Sequence, residues 1–252
     1  MLDGAYPDCG GYTLRRITST IDLSGIDNRT VYSDLDSSKP VRHAAGSETD
    51  YVATYLDVPD QRSYLDGILS QITSRTHAVD DQARICISLV QHIPYDDRTG
   101  PRTRYPYQVL YDNAGDCDEK SLLLAYLLRE LGYGVVLFCY EPENHMAVGI
   151  AAPSGYDSYD SGYAFIETTR PGIVTDDKGA YSGIGALTSV PRIVPVSQGR
   201  SFASIGEEYR DARELVELRR MQQPLDSYHY ARWQILEDKY ALDPADIKSW
   251  LS

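Results

Sequence analysis

The stretch Tyr111-Asp-Asn-Ala-Gly-Asp-Cys-Asp-Glu-Lys-Ser-Leu-Leu-Leu-Ala-Tyr-Leu-Leu-Arg-Glu-Leu131 passes from an exposed turn into a strongly apolar helix, and Cys117 stands at the junction. Unpaired backbone N–H groups and the positive end of the helix dipole collect there, so a thiol at this point ionises more readily and gains nucleophilicity. The neighbouring acids act both ways. Asp116 is placed to cap the helix, with Asp118 and Glu119 in its first turn, where acids favour the N-terminus but also oppose a thiolate.

Beyond this helix Gly132 and Gly134 provide a stop, and the pattern changes to short apolar runs at 135–140, 145–152 and 163–169. Turn residues separate them (Pro142, Asn144, Pro153, Gly155, Gly162), which predicts neighbouring strands of one antiparallel sheet, with a further strand at 192–196. On the N-terminal side, 63–75 and 79–92 carry apolar residues at helical spacing. Pro94 closes the second, and a loop containing Gly100, Pro101 and Pro106 leads to the cysteine. The fold class is therefore α+β, a cysteine-bearing helix packed on an antiparallel sheet.

Flanking this core (59–200) are two different segments. Residues 1–58 are rich in Ser, Thr, Asp and Gly and predict an irregular, partly extended stretch, with β-prone runs at 12–17 and 49–58. Residues 201–252 predict a C-terminal helical tail: helices at 207–221 and 227–240, then a short one capped by Asp243-Pro244. Tyr209, Leu215, Leu218, Ile235 and Leu236 are expected to be buried there, on the core or, through self-association, against a second copy.

The 252-residue chain has 24 Lys and Arg against 37 Asp and Glu, a net charge of −13, which argues against nucleic acid as a partner. Cys9, Cys86, Cys117 and Cys139 form no CxxC pair and no zinc-like Cys/His spacing, and Asp157, Asp160, Asp176 and Asp177 lack the spacing of a calcium loop. Neither a metal nor another cofactor is indicated. Cys86 and Cys139 lie in apolar runs and are expected to be buried thiols. No run approaches a membrane span and the N-terminus lacks a signal-peptide core. A soluble chain is expected, cytoplasmic if Met1 is the natural start and at the cell surface if a leader or anchor has been removed.

A thiol nucleophile needs a base, and the base needs an orienting group. His145 opens the second predicted strand directly after a turn, and Glu167 lies in the third among apolar neighbours. On adjacent antiparallel strands the two can project from one face and meet. Taken singly, His145 also fits a structural strand-start residue and Glu167 an edge-protecting acid; it is the order Cys, His, acid that points to chemistry. Twenty-one tyrosines against three Phe and two Trp supply amphipathic rings, either for packing or for a peptide substrate.

The run from Arg104 through Gly-Asp-Cys117 to Tyr133, followed by His145-Met-Ala-Val-Gly-Ile, resembles the transglutaminase-like superfamily of cysteine enzymes, closest to its microbial, peptidase-like branch, over about residues 80–196. The resemblance implies a papain-like core with Cys117 as nucleophile, His145 as base and Glu167 as third member; many relatives carry Asp in an Asp-Pro-Thr-like motif where this chain has Glu167-Thr168-Thr169. It implies attack of Cys117 on a peptide or carboxamide carbonyl and a thioester that passes to water or to an amine. The backbone N–H of Cys117 would stabilise the oxyanion together with an upstream donor, for which Gln91, Tyr95 and Tyr105 are available. The expected activity is thiol-dependent amide or peptide hydrolysis on a peptide or protein substrate. Transglutaminase-type acyl transfer and a non-catalytic interaction module are the alternatives.

Overall fold

The computed structural model describes residues 20–37, 50–96, 103–181, 185–222 and 224–242. The β-prone run at 12–17, Cys9 and the helix expected after Asp243 lie outside them. In chain order the elements are α1 (Arg29–Ser37), a π-helical turn (Val52–Leu56), α2 (Pro59–Arg75), α3 (Val79–Gln91), α4 (Pro106–Asp112), α5 (Cys117–Glu130), β1 (Val135–Tyr140), β2 (His145–Ala151), β3 (Tyr163–Ile166), β4 (Ala180–Tyr181), β5 (Gly185–Ala186), β6 (Arg192–Ser197), α6 (Gly206–Arg220) and α7 (Ser227–Tyr240).

α5 is the pillar of the fold. Every residue from Leu122 to Leu128 is buried, as expected of a helix that is apolar on all sides and must therefore be enclosed. α3, α4 and the sheet pack around it. The sheet is antiparallel in the order β3-β2-β1-β6, with Tyr140 opposite His145, Val135 opposite Ile150 and Val148 opposite Ile166. Alternation along the strands divides it into two faces. Val135, Leu137, Met146, Val148 and Ile150 share the core with the α5 leucines, whereas Val136, Phe138, Tyr140, Ala147 and Phe165 form a second apolar layer on the reverse face. Gly149 belongs to that reverse face, and a Cβ there would come within 2.6 Å of Val136 Cγ2, so the close approach requires glycine.

Three expectations from the sequence do not hold. The Pro106 region, expected as loop, is the helix α4: proline occupies its first turn and Asn113, at φ 47°, ends it in the left-handed region. Within 1–58, α1 forms where an irregular segment was expected, with Asn28 Oδ1 accepting the N–H groups of Thr30 and Val31 at its start. Val52–Leu56, expected as extended, is helical. Its β-prone residues yield to packing, which buries Tyr55 and Leu56 in the main core and sets the Tyr55 and Tyr105 rings 5.2 Å apart.

The tail docks on the core. Leu215, Leu218, Trp233 and Leu236 enclose a second apolar cluster together with Ile173 from the loop after β3, while Arg219 pairs with Asp176 at 2.7 Å and Arg84 of α3 with Glu208. Of the five expected tail residues Leu215, Leu218 and Leu236 are buried, and Tyr209 and Ile235 are half-buried. Among the described residues no helix is long and apolar enough to cross a membrane.

Candidate functional site

Cys117 is the first residue of α5. Asp116 caps the helix, its Oδ1 accepting the Glu119 N–H at 3.0 Å, and Glu119 returns the bond by accepting the Asp116 N–H at 3.1 Å. This reciprocal cap is fixed from outside by Arg104, whose guanidinium reaches Glu119, Asp112 and Asp96 at 2.8, 2.9 and 2.8 Å. Glu119 is thus a structural acid, and the start of the helix is rigid. In front of it, Gly115 bridges to the chain at Tyr95, exchanging backbone hydrogen bonds with Pro94 and Asp96.

His145 Nε2 and Glu167 Oε2 lie 3.0 Å apart, with both side chains buried. The register explains the meeting: His145 begins β2, Glu167 follows the last residue of β3, and both lie on the sheet face that carries Tyr140, Ala147 and Phe165. α5 covers the opposite face, so the thiol reaches this place at the end of the strand rather than across the sheet. Its Sγ lies 3.9 Å from the carbonyl oxygen of Asn144 and is hydrogen-bonded by the backbone N–H of Met146, the two neighbours of His145.

Glu167 is held on its other oxygen as well. Oε1 accepts from the N–H groups of Thr168 and Thr169 and from Thr169 Oγ1, at 3.0, 2.8 and 2.6 Å. Burial pushes this carboxyl up, but the hydrogen bond and charge of His145 with the Thr169 donors prevail, and it lies below the ordinary glutamate value. The Cys117 thiol moves the opposite way. Burial raises it, and the negative charges of Asp118 and Asp116 raise it further, with Asp118 Oδ1 3.4 Å from Sγ. The helix terminus does not overcome these effects, and the resting group is a neutral thiol.

The three upstream oxyanion candidates separate. Gln91 is buried and spends both amide hydrogens on backbone carbonyls, those of Glu167 at 2.8 Å and Gly172 at 3.1 Å. Tyr105 packs its ring in the core. Tyr95 is exposed beside the bridge to Gly115. Two further residues at the site were not singled out from sequence: Lys120, wholly buried one turn after Cys117, and Thr169. Lys120 stands between Glu119 and Ser121, ahead of the leucine run, where a lysine reads as an ordinary solvent-facing residue of the first helical turn.

Cys86 and Cys139 are buried free thiols. Asp157 accepts from the N–H groups of Gly155 and Gly162 in the turn before β3, so with Asp176 on Arg219 these acids serve turn and tail. Among the described residues no group of three or more His, Cys, Asp or Glu side chains is arranged to hold a metal ion.

No family model matches the sequence, and no curated protein matches it. Among solved structures, Legionella pneumophila LapG is similar at 14% identity and a TM-score of 0.31, over 84% of this chain and 96% of that chain. A likeness this remote leaves function to be read from the side chains themselves.

Proposed function

We propose that this chain is a thiol-dependent amide or peptide hydrolase in which Cys117 is the nucleophile, His145 the general base and acid, and Glu167 the group that orients the ring. The observation that carries this reading is the buried His145–Glu167 pair, 3.0 Å apart, beside a helix-terminal thiol that contacts the backbone on both sides of that histidine. With Nε2 engaged by Glu167, Nδ1 is the ring nitrogen that exchanges a proton with substrate and thiol.

Because the thiol rests neutral, His145 takes its proton as sulfur attacks the carbonyl carbon, rather than from a thiolate formed in advance. The tetrahedral oxyanion is held by the backbone N–H of Cys117, with Tyr95 the remaining upstream candidate. His145 then gives the proton to the departing amine, and the carbon–sulfur thioester remains. Water, deprotonated by the same imidazole, releases the acid and restores the thiol.

The test is alkylation of native protein by iodoacetamide, with the modified cysteine located by peptide mass spectrometry. Cys117 should react selectively, and His145→Ala should slow it by roughly 10²-fold, within the range a positioned base supplies. Unchanged reactivity in that variant would remove the catalytic reading. Hydrolysis is separated from acyl transfer by comparing ammonia release from a glutamine peptide with incorporation of a labelled amine; incorporation in preference to hydrolysis would assign the transferase chemistry instead.

A further inference from the structure

We infer that Lys120 is a positioning residue of this site: it fastens the turn that presents Glu167 to His145. This rests on the hydrolase reading above and extends it to a residue that touches neither substrate nor thiol. Lys120 is fully buried, and its ammonium donates to three backbone carbonyls: Gln91 at 3.3 Å, Ile93 at 2.6 Å and Thr169 at 3.1 Å. An ammonium has three N–H donors, so donors and acceptors match one for one.

The acceptors come from two segments outside α5. Gln91 and Ile93 lie at the C-terminal end of α3, where helix carbonyls lack partners within the helix and the dipole favours a cation. Thr169 belongs to the turn after β3, and its own N–H and hydroxyl are two of the donors that hold Glu167 Oε1. Gln91 completes the brace from α3 by donating to the carbonyls of Glu167 and Gly172. Two side chains from other elements therefore hold the 167–172 segment at three backbone carbonyls.

An ammonium is a costly choice for this place. Burying one is unfavourable unless it is paired and fully hydrogen-bonded, and an apolar side chain of similar length would fill the space without that cost. What an apolar residue would not supply is the link from the cysteine helix to the Glu167 turn, or a positive charge near a fully buried carboxylate. Burial outweighs the opposing charge of Glu167 and draws the ammonium down to about 8. Glu167 is the titratable group whose charge acts on it; Cys117 lies one turn earlier on α5, and His145 is hydrogen-bonded to Glu167. His92, at the end of α3, is exposed, and its ring nitrogen Nδ1 bonds the Ser88 carbonyl. A neutral amine would offer two N–H groups to three carbonyls, loosening the brace.

The test compares wild type, Lys120→Met and His145→Ala by two measurements. The first is the rate of Cys117 alkylation against pH; the second is the downfield proton resonance of His145 Nε2–H, which reports its hydrogen bond to Glu167. In folded Lys120→Met the resonance should weaken or vanish and the rate at neutral pH should fall at least about tenfold, since displacements on the order of 1 Å at a reacting group cost up to about 10²-fold. A folded variant that keeps both the resonance and the wild-type pH profile overturns the inference. Should Lys120→Met fail to fold, wild type decides: with the Lys120 13Cε shift followed through its titration, the His145 resonance should be lost together with the Lys120 proton. Its persistence would overturn the inference. If His145→Ala leaves alkylation unchanged, the hydrolase reading fails, and the resonance still reports whether Lys120 holds Glu167.

Discussion

At the level of single residues the site sets opposing influences against each other on one sulfur atom. Its place at the start of α5 favours a thiolate, while burial first, then Asp118 and Asp116, favour the thiol, and the second group prevails. Asp118 is half-exposed and stands outside the reciprocal cap of Asp116 and Glu119, so neutralising it leaves that cap in place. Asp118→Asn should therefore make the thiol more acidic and raise the alkylation rate near pH 7.5 by about three- to tenfold, since a pKa lower by one means about ten times more thiolate. The midpoint of the rate–pH curve should move to lower pH. A midpoint that stays in place or rises would mean that Asp118 does not set the resting state. The acids beside Cys117 were legible in the sequence as both cap and brake; that burial would be the largest influence was not, because it depends on what α5 and β2 enclose together.

At the level of elements, period and punctuation located most of the helices and strands. α5 and β1 to β3 follow from an apolar helical run and from alternating runs separated by Gly, Pro and Asn, and the meeting of His145 and Glu167 on one face follows from strand parity. What parity could not give was the side of the sheet that α5 covers, so entry of the thiol at the strand end is visible only in three dimensions. α4 was hidden because its proline reads equally as a loop signal or as the first residue of a helix. Lys120 was hidden because its three partners come from segments 27 to 49 residues away. The tail was readable as two helices, but its seat was not, since that depends on Ile173 and Asp176 in a loop. Its docking gives a prediction: Leu215 is fully buried in that cluster, and Leu215→Ala should cost about 2–5 kcal/mol. For a chain of this size that corresponds to a fall in Tm of roughly 5–15 °C, measured by far-UV circular dichroism. A change near zero would mean that the tail is solvated and adds nothing to the stability of the core.

Across the whole molecule, charge is distributed in two ways that respond differently to salt. Inside, the ion pairs are sheltered: Arg104 joins Asp96, Asp112 and Glu119 with its side chain 14% exposed, and Arg232 meets Glu214 with its own at 7%. Outside, an excess of 13 negative charges repels itself, and this favours the expanded, unfolded chain. Screening reaches exposed charges within about 10 Å at 0.1 M salt but affects buried pairs much less. Exposed pairs such as Arg192 with Glu141 and Arg62 with Asp66 weaken on adding salt, yet such pairs contribute only about 0–1 kcal/mol each. Relief of the net repulsion should therefore prevail, and raising sodium chloride from about 20 mM to about 300 mM should increase Tm by a few degrees, in contrast to the loss expected of a fold held by surface ion pairs. A steady fall of Tm over that range in scanning calorimetry would show that the exposed pairs, and not the sheltered ones, carry the electrostatic part of its stability.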